Sequence, residues 1–148
     1  MNAQITAALK KKEPNKLIYA LADSFPYRRP KDFANLSAEG KLVICCHCFA
    51  LEMFSGGYGR VISNLPEWAE EIVRSLRAIQ AVPYAETFAG VVRKAKAEGL
   101  ALSDDTDWCD FCERHHDFRE DTVRDYKTVF EVVARCLREY IAKHDSAF

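Results

Sequence analysis

The side chains best suited to chemistry fall into two groups. Cys109-x-x-Cys112-x-x-His115-His116 sets two thiols and two imidazoles at spacings that zinc accepts. Cys45-Cys46-His47-Cys48 would add a second pair if the two groups faced each other, giving a tetrahedral site of four thiolates, or of three thiolates and one imidazole. A strong zinc signature, however, sets its pairs among turn residues, and Cys45–Cys48 lies in an apolar run. Free cysteines there pack as small hydrophobes. Core and surface thiols are therefore the preferred reading, with no cofactor. A zinc-binding module on Cys109, Cys112, His115 and His116 is the alternative. A redox role for Cys109 and Cys112 ranks lower, because no βαβ setting surrounds them.

Carboxylates crowd the same stretch. Asp104, Asp105, Asp107, Asp110, Glu113 and Asp117 lie close together, with Glu120, Asp121 and Asp125 beyond, against Arg114, Arg119 and Arg124. A solvated helix face with capping acids explains such a strip; an anionic surface for a basic protein partner is the functional reading. A calcium loop is disfavoured, since Asp104-Asp105-x-Asp107 lacks the glycine and distal glutamate. Gly56-Gly57-Tyr58-Gly59-Arg60 offers amides beside an arginine, but neither a P-loop lysine nor a preceding strand accompanies it, so a structural turn is expected. No catalytic constellation stands out. His47, in the apolar run, reads as a hydrogen-bonded core histidine, and an enzyme is the third choice of function.

Helices are expected to position these groups. Ser37 should cap a long, buried helix running through Phe54 and ended by Gly56-Gly57. A short helix or turn at Arg60–Ser63 follows, then a period-3.6 helix from Pro66 to Gln80 and another from Pro83 to Gly99. Ser103–Asp107 is a polar loop, Trp108–Phe118 a further helix, and Tyr126 to Ile141 the clearest apolar stripe of all. Upstream, Asn2–Lys12 and the segment from Pro14 form short helices, and Phe25–Lys31 a loop. No alternating run demands a strand. The fold class is all-α: one irregular bundle of about six or seven helices over residues 1–148, with 1–36 as N-terminal helices and loop and 37–148 as the core.

A length of 148 residues suits one domain. A net charge of −1 argues against direct nucleic-acid binding, which needs many cations to displace counterions. The halves differ: Lys10, Lys11, Lys12 and Lys16 make the start basic, whereas the 104–125 region is acidic. No secretory leader is expected, because Lys10–Lys12 follow the first apolar residues, and no apolar run approaches the ~20 residues of a membrane span. A cytoplasmic protein with reduced thiols is the expectation.

The run from Leu42 to Ile79, with Phe54-Ser55-Gly56-Gly57-Tyr58 leading to Asn64, resembles a bacterial all-helical domain family of unknown general function, one member of which is described as a DNA mimic. Its motif is a Gly-Gly-aromatic turn followed by aromatics and Asn, here Gly56, Gly57, Tyr58 and Asn64. Val61 and Ile62 depart from it where aromatics are commoner, and Gly59 is an extra glycine. The resemblance implies an all-α fold, a homodimer, and a protein that occupies the DNA-binding surface of a transcription regulator. Such a mimic substitutes carboxylates for phosphates, and with a net charge of −1 only the Asp104–Asp125 strip suits that part.

Overall fold

Burial on one central helix organises the molecule. A computed structural model of the chain describes residues 2–27, 30–116 and 128–148. The described residues contain no strand and form α1 (Ala3–Leu9), α2 (Pro14–Ala22), α3 (Ala38–Asn64), α4 (Ala69–Ala78), α5 (Val82–Ala97), α6 (Cys109–Arg114) and α7 (Val129–Lys143), with short 3-10 turns between some of them. Helix α3 starts where Ser37 accepts the amide of Gly40 at 3.1 Å. Val43, Cys45, Cys46, Phe49, Ala50 and Met53 are fully buried, and α2, α4, α5 and α7 all pack on it. Length and mean hydropathy (27 residues, 1.3) would also suit a membrane span, which the sequence reading did not expect. Here neighbouring helices cover those apolar side chains.

The glycine pair ends the first limb of α3, as the sequence suggests, and a second helical limb follows directly. Gly57 has φ 77° and ψ −167°, a region open essentially to glycine alone. The helix resumes at once because Tyr58, Val61 and Ile62 re-enter the core. Asn64 Nδ2 and Arg60 Nε both donate to Glu52 Oε2, at 2.8 and 3.0 Å, and so clamp the two limbs across the break.

Pro66–Trp68 forms a 3-10 turn ahead of α4, so the helix expected from Pro66 starts three residues later. Trp68 stacks on Phe33 at 4.2 Å and closes the bundle edge. Ion pairs between Arg77 and Glu86 and between Lys96 and Glu70 tie α4 to α5. Gly99, with φ 77°, ends the α5 region as expected. The N-terminal helices are part of the core and no appendage: Ile5, Ala8, Leu17, Ile18 and Leu21 belong to its main cluster.

Candidate functional site

Helix α6 is shorter than the sequence suggested, ending at Arg114 with His115 as its C-cap. Trp108 and Phe111 plunge into the core and fix its inner face. Its far end is latched to the end of α5, where Glu98 accepts Arg114 at 2.6 Å and meets His115 Nε2 at 2.5 Å. These two partners, Arg114 foremost, hold the Glu98 carboxyl below its usual range. Cys112 Sγ donates to the Gly59 carbonyl at 3.5 Å. A β-carbon on Gly59 would stand 3.5 Å from that sulfur, an ordinary van der Waals contact, so α6 lies against the second limb of α3 without requiring glycine there. The family-motif turn and the Cys–His segment therefore meet, around an open groove of about 310 Å³ that includes Gly56, Arg60, Asn64 and Cys112.

The thiols do not gather. Cys45 hydrogen-bonds Ser75 of α4, and Cys46 lies toward Cys136 of α7. Burial raises both thiols well above their ordinary range, and burial followed by Glu52 pushes Cys48 up to about 12. Cys109 and His116 are exposed, Cys112 lies against Gly59 and His115 is engaged by Glu98. Among the described residues no three His, Cys, Asp or Glu side chains come close enough to share a metal. Burial depresses the His47 pKa, and its Nδ1 has no hydrogen-bond partner among the described residues.

Cys109 illustrates two opposed influences. A helix start lowers a thiol pKa, yet a hydrogen bond to Asp107 and the nearby charges of Asp107, Glu113 and Asp110 raise it. The carboxylates win, so the exposed thiol is expected to react slowly with iodoacetamide at neutral pH. Asp107→Asn should accelerate alkylation by roughly 2- to 10-fold, since each pKa unit changes the thiolate fraction by up to tenfold. An unchanged rate would show that Asp107 does not govern this thiol.

Asp104, Asp105, Asp110 and Glu113 are exposed and have no ion-pair partner among the described residues. Asp107 is exposed too and accepts the Cys109 amide at 3.0 Å. Asp117 lies outside the described residues, as do Glu120, Asp121, Asp125 and the start of the expected last helix at Tyr126. The loop that carries Asp104 and Asp105 is braced by Thr106 Oγ1, which donates to the Ala101 carbonyl at 2.6 Å. Sequence reasoning missed both Glu52 and Glu98. Each is an ordinary surface glutamate whose partners lie 8 to 17 residues away, and no local pattern marks that.

Fold and site together define an all-α domain built on a broken central helix, with an acidic loop and short helix docked at the break. The chain belongs to the DMP19-like protein family, whose family model matches residues 34–144. No curated protein and no solved structure matches it.

Proposed function

We propose that the domain is a non-enzymatic binding protein, working in the reducing cytoplasm, that offers the acidic strip from Asp104 to Glu113 to a basic protein partner. One observation carries this reading: Asp104, Asp105, Asp110 and Glu113 are exposed and form no ion pair with another described residue, on a segment held at several points. Exposed charges that form no close ion pair with another described residue cost little to present to a partner, although Arg114 lies near enough to Asp110 to be felt. Membership of the DMP19-like family supports the finer form, in which the strip stands in for DNA phosphates on the basic surface of a transcription regulator. Direct nucleic-acid binding has no part in it.

The test uses purified, basic DNA-binding regulators, each bound to labelled operator DNA and challenged with this protein. The wild type should displace the DNA from at least one regulator, more weakly as salt rises. Reversing Asp104, Asp105, Asp107 and Asp110 to lysine should weaken displacement by at least ~100-fold while the helical signal survives, since several desolvated charge pairs are lost together. Displacement by the reversed variant at wild-type concentration would remove the strip from the mechanism.

A further inference from the structure

Helices α4 and α5 flank an open groove of about 460 Å³. Its floor is apolar: Val73 of α4 with Ala89 and Val92 of α5, each 6–7% exposed. Four exposed cations stand around that floor, Arg74 and Arg77 from α4 and Arg93 and Lys96 from α5, with Glu70 beside them. Arg77 grips Glu86 through Nε and Nη2 at 2.8 and 3.1 Å, Lys96 crosses to Glu70, and Arg74 reaches back one turn to Glu71. Lys96, and after it Arg74, keeps the Glu70 carboxyl below its usual range; Arg77, and behind it Arg93, does the same for Glu86. Arg93 itself forms no ion pair with another described residue. A β-carbon on Gly90 would lie 3.9 Å from Arg93 Nη2, so that guanidinium leans back along α5 above the glycine.

Ion pairing within the protein accounts for Arg74, Arg77 and Lys96. It leaves Arg93 over, where four cations already meet the three carboxylates Glu70, Glu71 and Glu86. Such an excess of one sign around a low-dielectric floor attracts an anion. That anion must carry more than one charge, because a lone carboxylate would only replace a glutamate already in place. It must also be compact. Arg74 and Arg77, like Arg93 and Lys96, are three residues apart, about 4.5 Å along each axis at 1.5 Å per residue. A nucleic-acid backbone spreads its charges much further and rewards a longer run of cations. Linked phosphate groups meet both conditions, and their oxygens accept from guanidinium in its fork geometry. The groove volume lies within the range of small-ligand sites, and an apolar floor suits the uncharged part of such a molecule.

We infer that the α4–α5 groove binds a small soluble molecule bearing linked phosphates, held between Arg74 and Arg93 with its uncharged part over Val73, Ala89 and Val92. One anion shared by cations of both helices ties α4 more firmly to α5. The site has no residue in common with the acidic strip, so neither reading rests on the other.

Isothermal titration of the full chain with pyrophosphate and with adenosine diphosphate tests the idea. Both should bind saturably, adenosine diphosphate more tightly because its nucleoside covers the floor. Arg93→Ala should weaken both by roughly 10- to 100-fold, the loss that follows from removing charge-assisted hydrogen bonds. The helical signal should survive, since that substitution breaks no ion pair. Arg93→Lys keeps the charge without the fork and should fall between. Arg135→Ala removes the same charge from α7 and should leave the affinity unchanged. Equal losses from Arg93→Ala and Arg135→Ala would reduce the effect to net charge and overturn the inference. So would an absence of saturable binding at millimolar concentration, or binding to anionic phospholipid vesicles with none to the soluble phosphates. Amide resonances of the wild type locate the site independently of any variant: pyrophosphate should shift those of residues 74–78 and 89–96 most. Shifts centred on other helices would place the anion elsewhere and refute the assignment.

Discussion

Gly57→Ala is expected to destabilise the protein by about 1–3 kcal/mol, the cost of holding a side chain in a conformation that only glycine occupies freely. Its φ of 77° with ψ −167° is imposed from both sides. Phe49 and Met53 anchor the first limb of α3, Tyr58, Val61 and Ile62 anchor the second, and all are buried. The chain therefore cannot relax the break by straightening, because a continuous helix would rotate one set out of the core. Thermal denaturation should show the midpoint falling by roughly 3–12 °C, given the entropy of unfolding of a domain this size. Gly56→Ala is the informative comparison. Gly56 has extended φ, and its added β-carbon would press on Arg60 Cδ and Cβ at 3.0 and 3.2 Å, so that Arg60 must shift and loosen its hold on Glu52. A smaller loss is expected there, and a Gly57→Ala protein as stable as wild type would refute the account of the break.

The larger effect is expected at Tyr58→Ala, about 3–5 kcal/mol, as for other large aromatic side chains removed from a packed core. Tyr58 is 3% exposed. Its ring stacks on Phe88 of α5 with centroids 6.3 Å apart and lies 6.2 Å from Phe49 of α3. Phe49 in turn packs on Tyr84 and Phe88. One residue of the family-motif turn therefore joins the two limbs of α3 to α5. Since native domains have only ~5–15 kcal/mol in hand, the substitution removes a large share of the total. Urea titration should register it as a lowered midpoint with little change in slope. A loss below about 1 kcal/mol would mean that the turn is held by its backbone and the Glu52 clamp instead.

How much of this was legible in the sequence differs by element. Ser37, the apolar period of α4 and the stripe from Val129 to Ile141 announced their helices, because capping and periodicity are local properties. The glycine pair was legible as the end of the first limb; that a second limb follows at once was not. What restarts the helix is the burial of Tyr58, Val61 and Ile62 against other helices, which no local rule contains. The same limit applies at α6, where the apolar pattern runs on but the chain turns at His115 while Glu98 of a different element engages it. At the candidate site, the acidic residues and their exposure were readable from composition alone. Which of them form no ion pair with another described residue was not, since pairing depends on what the fold brings near. The spacing of Cys109, Cys112 and His115 offered a shared zinc ion as the alternative reading, and the fold gives Cys112 and His115 separate partners.

The scattering of the thiols turns the cysteines into a set of clocks. Cys45 and Cys46 are wholly enclosed, with ionisation suppressed by burial, so a thiol reagent reaches them when the bundle opens. Cys109, always in contact with solvent, keeps time for the folded state. Read residue by residue, labelling separates fraying at the surface from opening of the core, and does so without a foreign probe. The unmodified chain thus reports its own excursions from the native state, including any that follow from loosening the break in α3.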